Sequence, residues 1–179
     1  LEFEHPLLRL REMASSPSER CQAGQNWLWD GVRFEVLHPL ETDYQPGARS
    51  NSLSCVLRIS NGLQSALLVG DIEAAQERAL LARAAPASQG KGVGGLQADV
   101  LLVPHHGSKT SSSTAFLQAL QPQWAMVQAG YRNRFGHPAP EVLARYEDLQ
   151  IPWVGSSHCG AATWRSDRPS QVVCERVQS

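Results

Sequence analysis

The stretch ADVLLVPHHGSKTSSS, Ala98 to Ser113, joins a short apolar run to an abrupt polar loop. A run of this length, bounded by turn residues, reads as a buried strand. Pro104 ends it, His105 and His106 follow, and Gly107 opens a loop rich in hydroxyl groups. Imidazole is costly to bury without a partner, and its neutral nitrogen is a good ligand for divalent metals. Two histidines in succession at a strand end therefore point to metal binding or catalysis, with Ser108 a donor available to a bound substrate.

Working outward, the same grammar recurs on either side. Upstream, Ala66 to Val69 ends in Gly70-Asp71, which puts a carboxylate where α/β proteins build their ligand crevices. Taken alone, Asp71 is better explained as the N-cap of the helix after it, a run from Ile72 to Ala85 that Pro86 stops. Downstream, Trp124 to Gln128 is a strand followed by GYRNRFGHP, Gly130 to Pro138. There Arg132 and Arg134 supply cations that suit phosphate, and His137 sits between Gly and Pro. Three strand ends thus deliver Asp71, the His105-His106 pair and His137, the groups a metal-dependent hydrolase uses to activate water.

The rest of the chain supplies the frame. Trp27 to Trp29 meets Asp30-Gly31 and then the alternating run Val32 to Leu37, which predicts a β-hairpin. A second hairpin is expected from Ser52 to Ile59, a turn at Asn61-Gly62, and Leu63 to Val69. Short helices are expected at Leu7 to Met13, from Ser112 or Ser113 to Leu120, and from Pro140 to Leu149. Pro152 to Val154 is a further strand, and Ala161 to Arg165 with Val172 to Val177 a last hairpin. Ser88 to Gly95 is Gly-rich but lacks a following GK[ST], so it reads as a surface connection rather than a phosphate loop. Hairpins followed by alternating strand and helix give a mixed sheet covered by helices, in the α/β or α+β class.

Composition limits what this frame can be. With 179 residues the chain is one domain or one piece of a larger one. Its 42% hydrophobic content supports a core, and its net charge of -1 does not advertise a polyanion partner, so nucleic-acid contact would rest on a local cluster. No apolar run is long enough to span a bilayer and the first residues are too acidic for a signal peptide, so the chain is expected to be soluble. Cys21, Cys55, Cys159 and Cys174 lack the CxxC spacing of a structural zinc site. Cys159 and Cys174 flank the last hairpin, where they could pair in an oxidising compartment or serve as small buried hydrophobes.

The blocks ALLVGDIE (66 to 73), PHHGS (104 to 108) and GHP (136 to 138), with WDGVRFEVLHP (29 to 39) and NSLSCVLRI (51 to 59), resemble the metallo-β-lactamase-like domain at the C-terminal end of ComEC-type competence proteins. The resemblance covers nearly the whole chain. It implies an αββα fold and a metal-dependent nuclease domain of a DNA-uptake protein in the inner membrane of a naturally transformable bacterium. That domain would be soluble, would face the periplasm beside the membrane channel of the same polypeptide, and would degrade the single strand of DNA that is not transported. Asp71 resembles the aspartate that bridges two metals, Mn²⁺ or Zn²⁺. One of His105 and His106 resembles a histidine ligand, with His106 favoured and His105 as its neighbouring support. His137 resembles a histidine that contacts the phosphate or protonates the leaving oxygen. Asn51 and Ser54 stand where many relatives place another histidine ligand, and are substrate-binding candidates beside Ser108, Arg132 and Arg134.

One part of the family pattern does not match. The HxHxDH block is absent from the chain: before residue 105 the histidines are His5 and His38, neither with that spacing, and His38 is expected to be structural. Residues 1–179 are therefore expected to be the C-terminal portion of one such domain, short of metal ligands and inactive alone. Two alternatives stay open: a non-catalytic module that guides DNA by binding phosphate without a metal, and a metallohydrolase acting on another ester.

Overall fold

The computed structural model describes residues 19–84 and 96–176. The expected helix at Leu7 to Met13 and the Gly-rich stretch Ser88 to Gly95 lie outside them. Strands β1 (Asn26–Trp29) and β2 (Val32–His38) form the first hairpin. Asp30 and Gly31 between them take φ of 49° and 80°, the pair of positive angles that a two-residue turn of this kind requires. Strand β3 (Val56–Ser60) pairs with β2 and β4 (Ser65–Leu68) with β3, all antiparallel. The second hairpin begins at Val56 and not at Ser52, because Asn51–Leu53 winds into a 3-10 turn. Its backbone bonds, such as Ser54 N–H to the Asn51 carbonyl at 3.2 Å, are local, and short polar residues favour such turns over strand pairing.

Thereafter the connections cross over. Helix α1 (Ala74–Ala84) precedes β5 (Val100–Leu102), α2 (Thr114–Leu120) precedes β6 (Trp124–Val127), and α3 (Pro140–Asp148) precedes β7 (Trp153–Gly155). Strands β4 to β7 are parallel neighbours, so the seven-stranded sheet runs β1-β2-β3-β4-β5-β6-β7 in chain order. A short helix α4 (Ser156–Cys159) leads to a two-stranded ribbon of β8 (Ala162–Trp164) and β9 (Val172–Cys174). The described architecture is thus the expected mixed α/β sheet.

The two faces of the sheet differ. Leu67, Leu101 and Ala125 are in direct register, and all are fully buried beneath Leu80, Phe116, Leu117, Val142 and Tyr146 of the helices. The opposite register line runs Phe34, Ile59, Ala66, Val100, Trp124, with a second line of Leu57-Leu68 and Leu102-Met126-Val154. None of these residues joins the core cluster. Most are only half-buried, and Leu68 is exposed. Period-2 alternation with apolar residues on both faces marks a sheet built to be covered twice.

Disulfides join Cys159 to Cys174 and Cys21 to Cys55. The first takes the bonded one of the two expected alternatives. The second had no signal in the spacing, because its partners sit on a loop and at the end of a 3-10 turn that only tertiary structure brings together. Among the described residues no helix is long and apolar enough to cross a membrane.

Candidate functional site

Because β4, β5 and β6 are parallel neighbours, their C-terminal ends share one edge of the sheet, and the loops there carry Asp71, His105 with His106, and His137. Gly70 follows β4 with φ of 56°, its α-carbon packed so closely on Ser54 that an added β-carbon would lie 3.1 Å from the Ser54 β-carbon. The Ser54 hydroxyl accepts the Asp71 N–H at 3.1 Å, and this fixes the aspartate. Asp71 lies three residues before α1 starts, so it is not the helix cap that it resembles when read alone.

The backbone turns sharply through Pro104–Gly107, with φ of 48° at His105 and 55° at His106. Left-handed conformations at two consecutive non-glycine residues are strained, and their clustering at a site is a signature of function. The turn is anchored by the His105 N–H, which donates to the Gly70 carbonyl at 2.9 Å. Its two imidazoles are then treated differently. The Nε2 of His105 accepts from Asn51 Nδ2 at 3.4 Å, and its Nδ1 faces Glu73 Oε1 at 3.6 Å and Thr110 Oγ1 at 3.5 Å. Thr110 in turn donates to Glu73 at 3.1 Å. Both His105 nitrogens are therefore engaged with protein groups.

The Nδ1 of His106 donates to the Gln128 carbonyl at 2.6 Å, so that in the neutral ring Nε2 is the nitrogen with a free lone pair. That nitrogen faces Asp71 Oδ1 at 3.4 Å. Two lone-pair acceptors at this separation repel unless a proton or a cation lies between them. A tetrahedral ion with ligands about 2.1 Å away holds any two of them about 3.4 Å apart. A histidine with its far nitrogen tied to a backbone carbonyl is also the usual arrangement of a metal ligand. Both side chains are solvent-accessible, at 52% and 41%. The fit is partial: among the described residues there is no group of three or more His, Cys, Asp or Glu placed to hold a metal ion, and a catalytic zinc takes three protein ligands.

His137 closes the site from the third loop. Its ring lies 6.0 Å from that of His105, edge-on, and stacks on Phe135 at 5.9 Å. Among the described residues its buried Nδ1 has no hydrogen-bond partner. Desolvation, and then the neighbouring His105 and His106, push its pKa below the ordinary 6.5. The loop is shaped by Asn133, whose side chain bonds both the N–H and the carbonyl of His137. It is seated by Gly107, where a β-carbon would come 2.6 Å from that of Pro138. Arg132 and Arg134 are exposed, their guanidinium groups over the rings of Tyr131 and Phe135.

The structure brings Asp71, His105, His106 and His137 together. It places Asn51 and Ser54 as supports of His105 and Asp71, and turns the buried Ser108 hydroxyl to Thr110 at 3.2 Å. Sequence reasoning missed Glu73, Thr110 and Asn133. Glu73, two residues after Asp71 in the same GDIE block, was the one with a readable signal. His38 is structural as expected, its Nε2 against the Ser52 carbonyl at 2.8 Å.

No family model matches the chain. It is 41% identical over 139 residues to competence protein ComA of Neisseria gonorrhoeae, covering 78% of this chain and 18% of that one. It is 39% identical over 134 residues to ComE operon protein 3 of Bacillus subtilis, covering 75% and 16%. It is 38% identical over 125 residues to recombination protein 2 of Haemophilus influenzae, covering 70% and 14%. The chain thus spans less than a fifth of the length of the curated relatives it matches.

Proposed function

Since the chain belongs with the ComEC-type competence proteins, as a relative of one segment of each, we propose that it is part of a metal-dependent phosphodiesterase domain acting on a DNA strand during uptake. The observation that carries this reading is the Nε2 of His106 facing the Asp71 carboxylate at 3.4 Å while its Nδ1 is tied to a backbone carbonyl. In it Asp71 and His106 are metal ligands for Mn²⁺ or Zn²⁺, and His105 holds its neighbours in place. A divalent ion there would polarise a phosphodiester and acidify water. Arg132 and Arg134 neutralise the phosphate. His137, its pKa held below the ordinary 6.5, is placed to orient a phosphate oxygen by donating a ring N–H.

The described residues supply two ligands, so no catalytic step is assigned to them alone. In this reading the remaining ligands come from outside the described residues, within a metallo-β-lactamase-like αββα domain to which this chain contributes. The apolar second face of the sheet supports that reading, since a second sheet packs there in a sandwich. The two disulfides support a periplasmic setting beside a membrane channel, because such bonds persist in oxidising compartments. The scarcity of ligands favours the second reading, a module that guides DNA by phosphate contacts without catalysis.

Titration calorimetry with Mn²⁺ and with Zn²⁺ tests the ligand assignment. Weak binding of about one ion is expected, lost in Asp71→Ala and His106→Ala and retained in His105→Asn. Hydrolysis of labelled single-stranded DNA by this chain alone is expected to be negligible in the presence of Mn²⁺. Turnover that Asp71→Ala abolishes would show that the described residues suffice, and binding indifferent to both alanine variants would leave the guiding module as the reading.

A further inference from the structure

We infer that Tyr131 and Phe135 form a stacking platform for unpaired nucleotide bases beside the strand-end site, so that the site selects single strands over duplex. This deepens the reading of that site as one that binds nucleic acid. The two rings flank Asn133 and are 65% and 66% exposed, although each is large and apolar. Each carries a guanidinium: Arg132 lies 5.2 Å from the Tyr131 centroid and Arg134 lies 4.8 Å from that of Phe135. Phe135 also lies nearly parallel to the His137 imidazole, at 18° and 5.9 Å. Arg134, Phe135 and His137 are thus flat groups in succession leading from solvent to the histidine cluster, and Tyr131 with Arg132 is a second exposed ring and cation on the same loop.

The chemistry names the occupant. Exposed aromatic faces interleaved with cations match a chain of π-faces joined by phosphates, and arginine planes stack on bases as aromatic rings do. Exposed cation-π contacts are weak, so Arg132 and Arg134 are free to swing to phosphate oxygens when a base takes their place on a ring. A duplex keeps its bases stacked within itself and cannot use these rings. The loop is rigid where this requires it, since Asn133 bonds both backbone groups of His137 and Pro138 packs on Gly107. With a net charge of -1 on the whole chain, binding cannot rest on the overall field, and a local platform supplies what that field lacks.

The test is fluorescence anisotropy with the 179-residue chain in EDTA, which removes catalysis and metal from the measurement. The probes are a labelled oligothymidine, an abasic oligomer of the same length, and a duplex. Tyr131→Ala and Phe135→Ala are each expected to weaken oligothymidine binding about fivefold or more, and Tyr131→Phe and Phe135→Tyr to restore it. The abasic oligomer and the duplex are expected to bind weakly, with no dependence on either ring. Glu147→Gln, at an exposed position of α3 away from the strand-end site, is expected to bind oligothymidine as the unaltered chain does. Because EDTA keeps metal out of this assay, its failure counts against the platform alone, and the metal reading stands or falls by the calorimetry. Oligothymidine binding that survives both alanine changes, or that is no tighter than abasic or duplex binding, would overturn the inference, as would failure of the unaltered chain to bind.

Discussion

At the scale of single residues the decisive contrast is between two adjacent histidines. The sequence places both at one strand end but cannot say which keeps a free nitrogen, because that depends on Gln128 and Asn51, 22 and 54 positions away along the chain. His137 offers a direct check on the electrostatics. Its pKa is lowered by desolvation and by its two histidine neighbours. Its imidazole should therefore titrate below 6.5 in NMR, and His105→Asn, which removes one source of like charge, should raise it. A depressed histidine binds fewer protons folded than unfolded. The chain should accordingly lose stability as pH falls through 6.5, and the loss should level off once the folded pKa is passed. An imidazole that titrates at or above 6.5 in the folded chain would contradict the geometry described for the loop.

At the scale of elements, the hairpins and the strand ends were legible because they follow local rules: Asp30-Gly31 for the turn, apolar runs for β4 to β6, proline at the start of α3. What joins the elements was not. Ser113 occupies the N-cap position of α2 as expected, yet its hydroxyl makes no capping bond. Instead Glu77 of α1, wholly buried, accepts from the backbone N–H groups of Ser112 and Ser113, while the Ser112 hydroxyl meets Tyr146 of α3 at 3.1 Å. Burial raises the Tyr146 pKa beyond its ordinary 10, so this hydroxyl stays protonated across the physiological range. A glutamate in a helical run looks like a solvated residue, and nothing local marks it as the link between three helices. Glu77→Ala leaves one buried and one half-buried N–H group without acceptors, which costs about 1–3 kcal/mol for each one orphaned. Urea denaturation should show a loss of at least about 2 kcal/mol, and an unchanged midpoint would mean that water replaces the carboxylate at no cost.

At the scale of the whole molecule, alternating strand and helix already implied a mixed sheet covered by helices, but only the register shows, among the described residues, an apolar second face that is mostly half-buried and outside the core cluster. That face should make this chain bind a hydrophobic dye such as ANS and self-associate in sedimentation. A strictly monomeric chain without dye binding would argue against a second layer. The bonds Cys21–Cys55 and Cys159–Cys174 close separations of 34 and 15 residues. Chain entropy assigns each about 3–4 kcal/mol of stability, so reduction should lower the melting temperature markedly, and more for the longer loop. A final consequence lies in the strand order, which repeats the order of synthesis without a single exchange. A polypeptide threaded through a pore from its amino end would find, for each strand from β2 to β7 as it emerges, the neighbour it needs already in place. Each newly paired segment would resist sliding backwards, so the sheet could build itself step by step on the far side of a membrane.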